Sequence, residues 1–382
     1  MISSNEFQIL LGLLVAYYSL VMLGLLVGTR RLHFDRSPSK PFVSVIVAAR
    51  NEEKNIGQLL DHLLHQSYES YEVIIVNDRS TDQSASVIEG YAAECPVLRS
   101  INVEFLPADM PAKKNALSLG IAASKGEILC FTDADCLPPS GWISALVSAF
   151  DKDTGLVAGY SPYSEPPSES HETAGARGLL FRFIEYEEFK GTVWSAGAIG
   201  LQKGWLCTGR SLAYRRRVYD EVGGFEKIKH SISGDDDLFL QLVRRQTDWK
   251  IRYLTNEASF VTTVAPSTLH EFVEQRVRHF SAGKYFPPAM KLFFFTFHAA
   301  NLLILFAFVS SLLSGLAIPL VWPYLLKCVV DAVLFFNTAP LFGQRKFAST
   351  FLLMEALYVL YNTLIGPLGL IKGFEWKPEK SR

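Results

Sequence analysis

The chain has 382 residues, long enough for two structural units, and 49% of them are hydrophobic, with a mean hydropathy of +0.17. A formal net charge of −1 leaves no electrostatic footprint for a nucleic-acid partner. Five cysteines without zinc spacing or a disulfide framework exclude a disulfide-built domain and fit a reducing cytosol.

The hydrophobic excess sits at the two ends. Residues 7–28 form an uncharged run long enough to span a bilayer. Ser3-Ser4-Asn5-Glu6 precedes it where a secretory signal would be basic, and Arg30-Arg31 follows. An uncleaved anchor is expected, with the arginines holding the next segment in the cytoplasm, against an inner membrane.

The soluble part opens at Pro41. Residues 42–48 read as a buried strand, and Ala49-Arg50-Asn51-Glu52-Glu53 as the turn after it. Ile56, Leu59, Leu60, Leu63 and Leu64 mark one face of a packed helix. A second strand over 71–76 ends in Asn77-Asp78-Arg79-Ser80-Thr81-Asp82, which supplies helix caps. A third strand is expected over 97–103, and a helix from Lys113 to Ala123. Residues 128–131 form a fourth, ending in Thr132-Asp133-Ala134-Asp135, with a helix beginning near Pro138-Pro139. This alternation predicts an α/β fold with a mostly parallel sheet flanked by helices. Its polar clusters converge on the carboxyl edge, where open α/β sheets bind ligands.

Side chains two apart in an extended chain face the same way, so Asp133 and Asp135 address one ligand. Two hard carboxylates there suit a divalent cation that retains waters and meets phosphate oxygens. Asp151/Asp153 and Asp235/Asp237 share the spacing, but Asp151/Asp153 follow a helical stretch and read as a solvated turn. Cys136 reads as a packed residue.

Residues 156–160 are another strand. The Ser-, Pro- and Glu-rich 161–175 is either a lid or an ordinary insertion. Residues 176–194 form an amphipathic helix with Phe181, Phe183, Ile184, Tyr186 and Phe189, lying on the membrane surface or on the core. A turn, a short strand and a basic helix start follow over 208–216. Gly234-Asp235-Asp236-Asp237-Leu238 is either helix capping or a crowded acidic group in which one carboxylate takes a proton. Gln275-Arg276-Val277-Arg278-His279 lies on a helix after Ser267, a solvated basic face or an arginine clamp for a diphosphate.

Three further apolar stretches cover about 293–313, 316–336 and 347–371, with basic Gln344-Arg345-Lys346 before the last. Lys327 and Asp331, four apart, either pair on one helix face or lie near an interface. Gly366-Pro367-Leu368-Gly369 breaks the final stretch into a re-entrant or surface piece in one reading, leaving the side of Lys377–Arg382 open.

Taken together, Val45–Glu53, Val76–Asp82, Thr132–Asp135, Gly234–Leu238 and Gln275–His279 resemble, in order, the motifs of family 2 glycosyltransferases. The nearest branch is the membrane-embedded one that includes cellulose and hyaluronan synthases. The resemblance covers roughly residues 41–290. It implies a type A glycosyltransferase fold, an inverting transfer, and a nucleotide-sugar donor, UDP-sugar favoured. The acceptor would be lipid-linked or a polysaccharide of the cell envelope.

By the same resemblance Arg50, Glu52, Asp78, Lys113 or Lys114, Asp133, Gln275, Arg276 and Arg278 would bind the nucleotide sugar. Asp133 and Asp135 would hold Mg²⁺ or Mn²⁺. Asp235 would be the base, with Asp236 a rival because three aspartates stand in a row. Thr208, Gly209, Asp237 and His279 would meet the acceptor. Gly234 stands where the family has Glu, and His279 where it has Trp, which favours one or a few transfers over polymerisation. The implied units are an anchor over 1–29, a transferase domain over 41–265, arginine-motif and interfacial helices over 266–290 and a membrane region over 291–372. Two rival readings are a phosphatase with an Asp nucleophile, which leaves the Asn77-Asp78 turn without a task, and a non-catalytic membrane subunit.

Overall fold

The computed structural model describes residues 4–166, 174–314 and 321–371. Residues 167–173 of the 161–175 loop, and Lys377–Arg382, lie outside the described residues.

An apolar helix α1 (Ser4–Thr29) leads into β1 (Val43–Ala49), α2 (Ile56–Leu64), β2 (Tyr71–Asp78), α3 (Ser84–Glu94), β3 (Leu98–Val103), α4 (Ala112–Ala123) and β4 (Ile128–Phe131). Next come β5 (Cys136–Leu137), α5 (Trp142–Val147), β6 (Thr154–Ala158), β7 (Tyr163–Ser164), α6 (Ala174–Gly200), β8 (Leu212–Arg215) and α7 (Arg216–Val222). The chain continues through α8 (Asp237–Gln246), β9 (Lys250–Tyr253), β10 (Thr262–Val264), α9 (Leu269–Phe280), α10 (Pro288–Ser314), α11 (Trp322–Thr338), α12 (Phe351–Leu364) and α13 (Gly366–Ile371).

Seven strands form one sheet in the order β3-β2-β1-β4-β8-β6-β9. Every pairing outside β8 is parallel, and β8 runs antiparallel to both neighbours. A small sheet, β5-β10-β7, stands beside its carboxyl edge. β1 is buried on both faces, as expected of a central parallel strand. Val43, Val45 and Val47 share a core with Ile56, Leu59, Leu60 and Leu63 of α2, whereas Ile46 and Ala48 belong to the core on the other face, with Leu117 and Ile121 of α4. α2 lacks a side-chain N-cap. That omission costs about 1 kcal/mol, small against four buried aliphatics at about 1.5–3 kcal/mol each. Gly120 lets α4 settle on β1, since a Cβ there would stand 2.5 Å from Ile46 Cγ2.

Two expectations shift. The helix expected from Pro138 begins at Trp142, because Cys136–Leu137 is drawn into β5 by pairing with Thr262 and Thr263. The helix expected to end at Trp194 continues to Gly200. Its small-residue tail permits a close crossing: a Cβ on Gly28 of α1 would lie 1.9 Å from Gly197 O, and one on Gly200 would lie 2.0 Å from Gly28 O.

α6 is the shelf on which the apolar helices meet the sheet domain. Leu25 near the end of α1 abuts Gly197. Trp194 packs edge-on against Phe297 of α10, 4.8 Å between centroids, and Phe189 meets Phe335 of α11. α12 lies along the shelf: Lys190 Nζ and Tyr186 OH both donate to Glu355 Oε1, at 2.6 and 2.5 Å, and Tyr361 OH donates to Glu187 Oε1 at 3.1 Å. α13 folds back on α9, where Gly369 presses on Phe280. Among the described residues, four helices, at 5–29, 288–313, 322–342 and 351–369, are long and apolar enough to cross a membrane. Of the two readings of Lys327 and Asp331, the buried pair is observed: Nζ to Oδ2 is 2.5 Å, and Tyr18 OH donates to Oδ1 at 2.5 Å.

Candidate functional site

Strand register brings the polar clusters to one edge. Ala49 pairs with Asn77 and Ile46 with Phe131, so Asp78 closes one of three adjacent parallel strands and Arg50 and Asp133 follow the ends of the other two. Leu212, which pairs with both Phe131 and Ala158, starts β8 at that same edge, bringing the Thr208–Ser211 turn beside it.

The first two turns are stitched together. Asn51 N donates to Ser80 Oγ, Glu52 N to Ser84 Oγ, and Thr81 N to Asn51 Oδ1. Asn51 and Arg79 adopt positive φ, +53° and +51°, within these turns. Asp78 is fully buried; Arg79 covers it with two hydrogen bonds, and Arg50 stands 3.8 Å away. Glu52 accepts from Asn55 Nδ2.

Lys113 occupies the centre. Its ammonium lies 2.9 Å from Asp133 Oδ1 and 3.1 Å from Asp235 Oδ2, joining residues from α4, the end of β4 and the turn before α8. Burial opposes the ammonium, but Asp133, Asp235 and Asp236 outweigh it and raise Lys113 above the usual lysine range. Burial likewise tends to raise Asp133, yet Lys113, then Arg210 and Arg278, hold its carboxyl below the ordinary value. Asp133 keeps about a third of its side chain exposed, so it is reachable by a ligand.

Asp133, Asp135 and Cys136 offer ligand atoms within 4.8 Å of one another. Burial and the neighbouring Asp135 and Asp133 push the Cys136 thiol well up, so it stays protonated and donates to Asp135 Oδ1. What remains is a pair of hard oxygen donors already matched to a positive charge, a set that fits Mg²⁺ or Mn²⁺ completed by water and phosphate.

The three aspartates separate by orientation. Asp235 faces Lys113. Asp236 caps α8, accepting from Asp237 N at 2.7 Å through Oδ1 and from Gly209 N at 2.9 Å through Oδ2. Burial, then Asp235, push its carboxyl up to about 6, and the two backbone donors and Lys113 only partly offset this. Asp237, expected near the acceptor, instead accepts from Cys207 N at 2.7 Å and fastens the 207–209 loop. Gly234 has φ +82°, and a Cβ there would lie 2.7 Å from Leu238 Cγ, which explains why a side chain is missing at that position.

Several expected ligand residues are engaged elsewhere. Lys114 is fully buried and donates to Ser231 O and Ser233 O, at 2.5 and 2.8 Å; it holds the turn before Asp235 rather than lining a pocket. Burial lowers this amine to about 8. Arg276 is paired with Glu187 and, at 3.4 Å, with Glu188. Arg276 Nη1 and His279 Nδ1 are 3.1 Å apart. Gln275 accepts from Tyr163 OH. Thr208 accepts from Arg210 N and Nε. Arg278 makes no ion pair among the described residues and acts on Asp133 through space.

Sequence reasoning overlooked Arg210, Glu187 and Glu188. Glu188 accepts from Arg210 Nη2 at 2.7 Å while also facing Arg276, so α6 positions both guanidiniums, and Tyr163 stacks on Arg210 at 4.9 Å. The available signal was an aromatic helix carrying Glu185, Glu187 and Glu188, acids that a buried face tolerates only when paired.

Comparison with known proteins bears on the fold and the family. Residues 44–223 match the Glycosyl transferase family 2 model. The probable glycosyltransferase YdaM of Bacillus subtilis is 25% identical over 295 residues, 72% of this chain and 64% of that protein. A beta-monoglucosyldiacylglycerol synthase of Nostoc is 27% identical over 243 residues, 60% of this chain and 49% of that protein. The chain thus spans about half to two thirds of the length of these curated relatives. The mannosyltransferase PcManGT of Pyrobaculum calidifontis, solved with GDP-Man and Mn²⁺, superposes with a TM-score of 0.55 at 18% identity, covering 94% of this chain and 95% of its own. The fold is therefore the type A glycosyltransferase fold, and residues 44–223 form a glycosyl transferase family 2 domain.

Proposed function

We propose that the protein is a membrane-bound inverting glycosyltransferase. It moves a sugar from a nucleoside diphosphate sugar to a lipid-linked or glycan acceptor, on the cytoplasmic side of the cell membrane. The observation that carries this reading is the meeting of Asp133 and Asp235, 102 positions apart in the chain, on one ammonium at the carboxyl edge of the sheet.

In this reading Asp78 and the zipped turns at 50–53 and 77–82 receive the nucleoside. Asp133 and Asp135 hold Mg²⁺ or Mn²⁺, which when bound neutralises charge on the leaving diphosphate. Arg278, whose guanidinium has no acidic partner among the described residues, donates to the same oxygens. Arg276 and Arg210 stay with Glu187 and Glu188 as a charge-balanced set. Desolvation, then the cations Arg276, Arg278, Arg210 and Lys113, lower the His279 ring well below its ordinary value, so it hydrogen-bonds without adding charge.

Asp235 takes the proton of the acceptor hydroxyl. That oxygen bonds to the anomeric carbon as the bond to the β-phosphate oxygen breaks on the opposite face, and the nucleoside diphosphate departs. The acceptor enters from the bilayer side, and the likeness to a glycolipid synthase supports a lipid.

The test is incubation of membranes holding the protein with radiolabelled UDP- and GDP-sugars, followed by partition of product between organic and aqueous phases. Label is expected in lipid, lost with EDTA and restored by Mg²⁺ or Mn²⁺. Transfer that persists in the chelator would remove the cation from Asp133 and Asp135.

A further inference from the structure

We propose that Lys113 is a built-in counter-cation. While donor is absent its ammonium holds Asp133 and Asp235, and the joint arrival of a divalent cation and a nucleoside diphosphate moves it off both. This rests on the transferase reading above.

Lys113 makes direct ion pairs with Asp133 and Asp235, and no other described residue pairs with either. It is the second residue of α4, so a long flexible stem carries the charge from a fixed helix start. Lys114 shows the contrast, tied to two backbone carbonyls that fix the turn preceding Asp235. One lysine therefore anchors the base-bearing loop while its neighbour is free to change partners.

A divalent cation on Asp133 would sit about 2.0–2.6 Å from its oxygens, beside an ammonium 2.9 Å from Oδ1. The two charges repel, and the cation alone must displace Lys113 from Asp133 with nothing in return. A diphosphate arriving with the cation supplies the ammonium with new anionic partners. Cation affinity thus depends on nucleotide, and linkage makes the dependence reciprocal. The same exchange releases Asp235, so the group that accepts the proton is freed once donor is loaded and stays neutralised before.

The test is Mn²⁺ titration of the detergent-purified full chain, reading free Mn²⁺ by electron paramagnetic resonance, alone and with UDP or, separately, GDP. For the wild type, nucleotide is expected to tighten Mn²⁺ by about 5- to 150-fold, the usual range of coupling. Lys113→Met should bind Mn²⁺ without nucleotide more tightly than the wild type, and the nucleotide effect should shrink towards none. Lys113→Arg, which keeps the charge, should retain the wild-type dependence, and Lys113→Gln substitutes if the Met variant fails to fold. Equal or weaker nucleotide-free Mn²⁺ binding in the neutral variants overturns the counter-cation alone. No Mn²⁺ binding by the wild type in any state overturns the metal assignment and the counter-cation with it.

Discussion

Asp235 and Asp236 are adjacent, yet their surroundings assign them different work. The first faces the cleft through Lys113, and the second has each carboxylate oxygen occupied by a backbone N–H. Asp235→Asn is expected to cut transfer by about 10²- to 10⁴-fold, the usual contribution of a general base, while calorimetry still detects nucleotide-sugar binding. Asp236→Asn should act on stability and on its pH dependence. Because the native carboxyl titrates near 6, above its ordinary 3.8, the folded chain binds a proton more readily than the unfolded one between about pH 4 and 6. Its contribution to stability therefore falls as pH rises through that window, whereas the Asn variant has no such slope. Melting temperatures of the two, measured from pH 4 to 7, should move in the variant's favour as pH increases. Identical pH profiles would show that Asp236 is not the buried acid described. A run of three aspartates carries no mark of which one is a cap; that choice depends on where the 207–209 loop sends its N–H groups.

Among the elements, α6 decides most. Its acids hold Arg210 and Arg276, its aromatics meet α10 and α11, and its glycine tail crosses α1. A side chain at Gly197 would press on Leu25, whose carbonyl oxygen would lie 2.8 Å from the new Cβ. Gly197→Leu is thus expected to destabilise the detergent-solubilised protein by at least the 1–3 kcal/mol typical of overpacking, read as a lower melting temperature. An unchanged melting temperature would mean that the crossing is looser than described. The strand and helix order from β1 to β4 was legible because each strand is a short apolar run closed by polar turn residues. α6 was legible as a helix but not as a shelf. Its Gly-rich end looks like a helix stop until α1 supplies the close neighbour, and glutamates on an aromatic face have no meaning until arginines distant in the chain are folded against them. The metal motif and Asp235 could be named from residue type and order, whereas the ammonium between them could not, since Lys113 and Lys114 are indistinguishable in sequence.

For the molecule as a whole, the membrane topology follows from what each apolar helix touches. α1 meets α6 through Leu25 and Gly28, α10 through Phe297 and α11 through Phe335. α12 contacts α6 through Glu355 and Tyr361, and α13 returns to α9. On its other side α12 exposes Leu352, Leu353, Leu360 and Leu364, an apolar face suited to lying in the bilayer surface. Three crossings are expected, with α12 not crossing although its length and composition would allow it. Reporter domains fused after Arg31 and after Ile371 should report the same side of the membrane, and one fused before Ser4 the opposite side. A reporter after Ile371 on the side opposite to Arg31 would make α12 a true span.

The core beneath the sheet runs without interruption from Val15 and Tyr18 through the underside of β4 to Met354 and Tyr361. No plane divides a water-soluble half from a lipid-soluble half. Excising residues 41–265 for study as an autonomous fragment would strip α6 of its roof supports, leave Lys190 and Glu187 without Glu355 and Tyr361, and uncover a broad aromatic underside. Biochemistry on this protein must therefore keep the chain whole.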